Sequence, residues 1–285
     1  MNAKAGARRW LRLACRYRWR GRYPLVEWLA PRLAEPGRLE AVRVGRRAEM
    51  LCDVADDVQR QIAYGLYEPD EARIFASSLS EGDVVFDVGA NVGYYTILAA
   101  ERVGPTGQVH AFEAVASNAD RLDANVAHNR FANVAVNRCA VSDGASETLR
   151  IRIPRRGTSR STGWASIAIA PSALNEPTDV PATSLDAYVE RECIERVSLV
   201  KMDIEGAELM ALRGGSRLFS RPDAPRLICE VNGFLLDRIG SSPAELLTCL
   251  GSYGYRLEAI TARGLVPIRP DAGRSGLFNV FAWKG

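Results

Sequence analysis

Short apolar runs, each closed by an acid or a glycine, recur along this chain and predict strands buried on both faces. Val84, Val85 and Phe86 form the first run and Asp87 closes it. A turn, Gly89-Ala90-Asn91-Val92-Gly93, and a helical segment over residues 94–102 follow. The next run, residues 109–112, ends in Glu113. The order is strand, glycine turn, helix, strand, acid: one βαβ unit. Its glycines let the backbone approach a ligand, and its helix start offers free N–H groups. An acid closing the second strand can accept both hydroxyls of a ribose. Glu113 stands 24 residues after Gly89, near the spacing of roughly 20 that this role uses. The GxGxxG pattern is absent, because Asn91 stands where the second glycine would be. That disfavours a pyrophosphate on the turn and favours a nucleoside without phosphates. A purely structural turn is the alternative, and the acids on both strand ends weigh against it.

Elsewhere the pattern predicts short strands over residues 39–53 and a helix or turn over 54–65. A helix over 70–79 has an acidic first turn that suits the helix dipole. Ser117 is expected to cap a helix running to Asn129. Residues 134–141 read as a third strand, residues 147–153 as an additional one, and Ser184 opens another helix. Residues 154–162 are polar and arginine-rich (Arg155, Arg156 and Arg160, with Arg152 just before), which predicts a loop. Near the end, residues 243–250 read as a helix, and residues 255–260 and 277–283 as strands.

A second constellation begins with the apolar run 197–202, which leads into Asp203-Ile204-Glu205-Gly206-Ala207-Glu208. A helix over 207–212 follows, stopped by Gly214-Gly215. Another run, residues 226–229, ends in Glu230-Val231-Asn232. In a doubly wound sheet ligands gather beyond the carboxyl ends of the strands, so Asp203 and Glu230 should emerge on the edge that carries Asp87 and Glu113. Lys201 alternates with buried positions and is placed to pair with one of these acids.

Length and composition add bounds. The chain of 285 residues can bury one large α/β core with an N-terminal elaboration, divided as residues 1–50 and 51–285. Its six cysteines include no CxxC pair, which suits a reducing, cytoplasmic setting without zinc or a disulfide framework. The net charge of +3 hides an asymmetry: residues 1–50 hold 13 Lys/Arg against 4 Asp/Glu, a balance of +9, and the remainder carries −6. Residues 7–30 interleave Trp10, Tyr17, Trp19, Tyr23 and Trp28 with seven arginines. This stretch lacks the unbroken apolar run of a membrane span or signal peptide. Three readings apply: a solvated leader packing its aromatics on the core, peripheral contact with an anionic membrane surface, or nucleic-acid contact. No nucleic-acid-binding motif supports the last.

Five longer stretches narrow the chemistry. DVGANVGYYT followed by AFEA looks like motif I and the ribose acid of a class I S-adenosylmethionine-dependent methyltransferase. YEPDEARIF, STGWASI and VKMDIEGAELMALRGG resemble the FkbM-type methyltransferase family, over roughly residues 50–285. Proline usually follows the ribose acid in that family; here it is Ala114. The resemblance implies a Rossmann-like, doubly wound α/β fold, with a mostly parallel seven-stranded sheet ending in an antiparallel C-terminal hairpin. It implies that S-adenosyl-L-methionine is held by Glu68, Asp87, Gly89, Ala90, Asn91, Gly93, Tyr95, Glu113, Ser142 and Asp203. The implied acceptor is a hydroxyl on a small-molecule, sugar or lipid-linked substrate.

Methyl transfer from a sulfonium is an in-line displacement that needs alignment and, for a hydroxyl acceptor, removal of a proton. The two histidines, His110 within a strand and His128 late on a helix, read as structural, so the base should be a carboxylate. Asp203 leads, with Glu205 and Glu230 beside it; capping the following helix is the alternative role for Asp203. Asp203, Glu230 and Asn232 together supply oxygen ligands that could hold Mg2+ and lower the acceptor's pKa, though no other metal site is expected. A nicotinamide-dependent oxidoreductase would use the same βαβ unit but needs room for a pyrophosphate. A non-catalytic membrane-associated module would not need the row of acids, which is costly to bury.

Overall fold

The apolar runs become neighbouring strands of one sheet because each is too short and too uniformly hydrophobic to leave a face in water. The computed structural model describes residues 3–154, 175–269 and 276–285, apart from residues 16, 18 and 36. Helices α1 (Ala3–Cys15) and α2 (Arg22–Leu33) precede an antiparallel hairpin, β1 (Leu39–Arg43) and β2 (Glu49–Asp53), followed by α3 (Asp57–Ala63) and α4 (Pro69–Ser77). The βαβ unit is β3 (Val84–Val88), α5 (Tyr94–Val103) and β4 (Gln108–Phe112). Next come α6 (Ala116–Asn129), β5 (Val134–Asn137), β6 (Ala140–Val141), β7 (Thr148–Pro154), β8 (Asn175–Thr183) and α7 (Leu185–Arg191). The chain continues through β9 (Leu199–Met202), α8 (Glu208–Gly214), α9 (Ser216–Ser220), β10 (Arg226–Asn232), α10 (Gly233–Arg238) and α11 (Pro243–Ser252). It closes with β11 (Arg256–Thr261), β12 (Gly264–Ile268) and β13 (Leu277–Trp283).

The main sheet runs β12-β11-β13-β10-β9-β3-β4-β5. From β5 to β10 every pair is parallel, while β13, β11 and β12 are antiparallel to their neighbours. Strand order therefore reverses between β3 and β9, and that switch point is where an open α/β sheet leaves a crevice for a ligand. The doubly wound α/β reading stands, with one correction: the sheet has eight strands, not seven. The eighth is β12, returned by the tight turn that sets Thr261 opposite Gly264. It carries Pro267, which an edge strand tolerates because its missing N–H faces no partner.

Successive side chains of β3 show how the sheet is covered. Phe86 and Val88 pack into a cluster with Leu185, Tyr188 and Phe219 of α7 and α9. Val85 packs with Phe75 of α4 and Ala99 of α5 on the opposite face. Helices thus lie on both sides, and the polar ends of the strands are left as the open edge.

Two local expectations change. Residues 134–141 are not one strand: the chain bends at Arg138, whose guanidinium meets Asp120 at 2.7 Å and Asp123 at 2.5 Å on α6, and β6 joins β8 and β7 in a separate three-stranded sheet. Ser117 does not cap α6; Val115 stands at the cap position, where Glu113 Oε1 accepts its N–H at 2.8 Å. Residues 154–166 lie outside the described residues except Pro154, and with them Arg155, Arg156, Arg160 and the STGWASI stretch.

The boundary expected between residues 50 and 51 falls inside β2. Glu101 of α5 accepts three backbone N–H groups from the β1–β2 turn, those of Arg46, Arg47 and Ala48. Asn125 and Asn129 of α6 accept from Leu51 and Glu49. Helices α1 and α2 add Leu11, Cys15, Val26 and Ala30 to a core shared with Val92 and Ile97. The aromatic residues do not join that core: Trp10 of α1, Tyr23 and Trp28 of α2, and Tyr17 and Trp19 in the link between them are exposed.

Candidate functional site

Four neighbouring strands deliver the site. The end of β3 gives Gly89, β4 gives Glu113, β9 gives Asp203, and β10 gives Glu230, with Cys229 of β10 opposite Met202 of β9 in register. A cavity of about 660 Å³ lies over these ends, within the ~300–1,000 Å³ usual for small-ligand sites. Glu68, Gly89, Asn91, Glu113, Asp203, Glu205 and Glu230 line it, so seven of the residues singled out from sequence meet there.

One half of the cavity is built by the glycine turn. Gly89 has φ +87° and sits so close to β9 that a Cβ would meet the Asp203 carbonyl oxygen at 1.8 Å. Gly89 and Ala90 donate their N–H groups to Phe112 O at 3.0 and 2.9 Å, which closes the turn onto β4. Glu113 Oε2 accepts the Asn91 N–H at 2.8 Å, and the Asn118 side chain adds a further hydrogen bond. Burial nevertheless raises the Glu113 pKa to about 7. Asn91 adopts φ +51°, and its buried Oδ1 has no hydrogen-bond partner among the described residues. A polar atom so placed on a cavity wall asks for a ligand donor.

The other half is a nest of acids around one cation. Lys201 is buried, with Nζ 3.3 Å from Asp203 Oδ2 and 5.1 Å from the centre of the Tyr95 ring. Burial opposes its charge, but Asp203, Glu68 and Glu230 outweigh that and hold its pKa above the ordinary lysine value. Glu68, in the left-handed region at φ +39°, precedes α4 without capping it; its Oε2 instead accepts the Tyr95 hydroxyl at 2.6 Å. Burial, then repulsion from Asp203 and Glu208, pushes Glu205 up to about 8. Burial, with Asp203 and Glu205 beside it, raises Glu230 well above the carboxylate range, and its Oε2 has no hydrogen-bond partner among the described residues. Glu208 turns inward, its Oε1 accepting the Ile204 and Gly206 N–H groups, so it braces the 203–206 loop.

Other expected residues stand behind this lining. Asp87 lies beneath the turn, accepting the Thr96 hydroxyl, with its pKa raised to about 6 by burial. Asp87, Ala90 and Tyr95 line a smaller adjoining cavity beside Lys201. Gly93 begins α5 against Leu122. Ser142 is buried and supports the following turn through Gly144 N–H, while Cys139, Ala140 and Val141 face the main cavity in its place. His110 is held by the Tyr188 hydroxyl at 2.8 Å, and His128 faces Glu49 at 3.5 Å; neither lines the cavity. Sequence reasoning passed over Phe234 and Leu277, both 64% exposed at the rim. Their one signal is that each adjoins a strand end, Phe234 just after β10 and Leu277 at the start of β13.

No group of three His, Cys, Asp or Glu among the described residues is placed to hold a metal ion. The Lys201 ammonium occupies the position beside Asp203 that a cation such as Mg2+ would take.

Strand order, a glycine turn braced by a ribose-type acid, and a carboxylate nest at the switch point together define a methyltransferase-type α/β domain. Residues 87–257 match the methyltransferase FkbM domain, and the chain belongs to that family of S-adenosylmethionine-dependent methyltransferases. Among curated relatives, the hexuronic acid methyltransferase AglP of Haloferax volcanii is 31% identical over 156 residues, 52% of this chain and 56% of that protein. The chain therefore spans about half the length of that relative. The 31-O-demethyl-FK506 methyltransferase FkbM of Streptomyces tacrolimicus is 28% identical over 209 residues, 64% of this chain and 75% of that protein. A solved S-adenosylmethionine-dependent O-methyltransferase from Thermotoga maritima is similar at TM-score 0.42 and 16% identity, covering 76% of this chain and 65% of that one.

Proposed function

We propose that this protein transfers the methyl group of S-adenosylmethionine to a hydroxyl of a sugar-like or lipid-linked small molecule. The observation that carries the reading is the pairing of two unlike halves in one cavity, a nucleoside cradle at Asn91 and Glu113 and a carboxylate nest around Lys201. The cradle fits the cofactor: Gly89 leaves no room for a side chain, and Asn91 Oδ1 is a buried acceptor without a partner among the described residues. Bound there, S-adenosylmethionine supplies a methyl group on a positively charged sulfur.

Each residue then has a task. Glu113 accepts the ribose hydroxyls with the lone pairs its backbone donors leave open. Asn91 orients the nucleoside through backbone and side chain. Asp203, tied to Lys201, takes the hydroxyl proton as the acceptor oxygen attacks. Lys201 holds the Asp203 carboxylate in place through the 3.3 Å contact between Nζ and Oδ2. Glu205 and Glu230, their pKa values raised, keep protons and can donate hydrogen bonds to acceptor oxygens.

The relatives' names support an oxygen acceptor: one acts on a hexuronic acid and the other on a 31-O-demethyl compound. The test is incubation of the protein and S-adenosylmethionine with hydroxylated sugars, hexuronic acids among them, followed by mass spectrometry of the products. An O-methylated product that disappears with Asp203→Asn supports the reading. Methylation on nitrogen or carbon, or full activity in Asp203→Asn, would sink it.

A further inference from the structure

Of the ten large hydrophobic side chains left exposed among the described residues, six lie between residues 10 and 28: Trp10, Leu13, Tyr17, Trp19, Tyr23 and Trp28. Such a concentration is not ordinary surface scatter. The inner faces of α1 and α2 are already satisfied. Leu11, Cys15, Val26 and Ala30 are buried, and Arg8, itself buried, pairs with Glu35 and Glu40. What remains outside is aromatic and basic. Trp10 and Leu13 lie three residues apart on α1, Tyr17 and Trp19 follow in the link to α2, Arg9 and Arg20 are exposed beside them in the chain, and Arg32 stacks on the Trp28 ring at 4.8 Å.

We infer that α1 and α2 form a docking face for a bilayer containing anionic phospholipid. Tryptophan and tyrosine carry an apolar body and a polar tip, which suits the headgroup level. Arginine meets phosphate with a fork of donors. The balance of +9 over residues 1–50, against −6 for the rest, turns this face and not the remainder of the protein toward negative charge. The burial pattern points to insertion of a shallow, charged face, since no helix among the described residues is long and apolar enough to cross a membrane.

The face adjoins the cavity. Tyr23 hydrogen-bonds Gln61, a cavity-lining residue of α3, at 3.2 Å. At the rim the same chemistry recurs, with Arg238 stacked on exposed Phe234 at 4.4 Å. Docking through α1 and α2 would bring the cavity mouth close to the headgroups, where a lipid-linked acceptor would present its hydroxyl.

The test uses the intact protein and co-sedimentation with vesicles of phosphatidylglycerol and phosphatidylcholine, or of phosphatidylcholine alone, at low and raised salt. Binding to the anionic vesicles is expected, weakened by salt and by phosphatidylcholine alone, with a blue shift of tryptophan emission. The double variants Trp10→Ser/Trp28→Ser and Arg9→Glu/Arg20→Glu change exposed positions only; each should keep the wild-type circular dichroism and weaken vesicle binding about tenfold or more. The inference is overturned if the folded protein ignores anionic vesicles, or if both variants bind as wild type does. It is equally overturned if sedimentation equilibrium shows a dimer that shields the tryptophans without vesicle binding, or if RNA competes the vesicles away.

Discussion

The Lys201 ammonium lies 3.3 Å from Asp203 Oδ2 on the open edge of the sheet, with 1% of the lysine side chain exposed. Glu68 and Glu230 share the same cation through space. Truncating one member of such a buried pair usually costs about 3–5 kcal/mol, because the other charge is stranded. Lys201→Met is therefore expected to lower thermal stability sharply. Lys201→Met/Asp203→Asn should recover much of the loss, which paired thermal melts would show; no recovery would mean that Lys201 acts through packing alone.

Asp203→Asn keeps shape and removes the proposed base. Loss of a positioned general base costs about 10²–10⁴-fold in rate. The expected result is a kcat lowered by that order, with S-adenosylmethionine affinity changed only a few-fold. Calorimetry beside steady-state kinetics separates the two.

Glu113 carries a prediction about pH. Its pKa of about 7 in the unliganded protein is raised by burial, and only the ionised form can accept from both ribose hydroxyls. Donor affinity should rise as pH rises through about 7. Glu113→Gln should flatten that dependence, and Glu113→Ala should cost about 1.5–3 kcal/mol of affinity, the scale of a hydrogen bond to a charged group. Isothermal titration at three pH values checks both.

Gly89→Ala places a methyl group against the Asp203 carbonyl oxygen in a left-handed conformation. The conformation alone costs about 1–2 kcal/mol, and the β3–β9 contact must also open. Reduced thermal stability together with lost donor binding is expected. A variant that melts and binds like wild type would contradict the close approach.

Asp87, Glu113, Glu208 and Glu205 have folded pKa values near 6, 7, 7 and 8, all raised chiefly by burial. An acid raised in the folded state binds its proton more tightly there. Its stabilising contribution is complete below the unfolded value of about 4 and is lost as pH climbs through the folded one. The unliganded protein should therefore become more stable as pH falls from 8 toward 6. Glu208→Gln keeps an acceptor for Ile204 and Gly206 and should make that slope shallower in melts across this range.

Much of this was legible in the chain. The strands of the parallel core announce themselves as apolar runs because both faces are buried, and the acids after them mark the open edge because strand ends alone remain polar. Residues 89–93 are readable for the same local reason: a tight turn against a ligand needs glycine wherever sequence is met. What lay beyond reach involves elements distant in the chain. Whether Glu205 or Glu208 faces the cavity depends on one backbone turn, with Glu205 at φ +53° and Glu208 drawn back to its own loop. Glu68 joins Lys201 only because α4 packs beside α5, where Glu68 Oε2 accepts the Tyr95 hydroxyl. The break at Arg138 needs Asp120 and Asp123 on the neighbouring helix.

The aromatic leader shows the division most clearly. By itself the sequence determined the strand-end acids, the glycine turn and the basic excess of the first fifty residues. These are properties of local hydrophobic period, turn chemistry and composition. Only the tertiary structure decided which side of α1 and α2 faces inward, because helical phase becomes a direction once Leu11, Val26 and Ala30 have a core to enter. It likewise decided which acid keeps Lys201 for company, since the balance between burial and attraction exists only where strands 3, 9 and 10 bring their ends together.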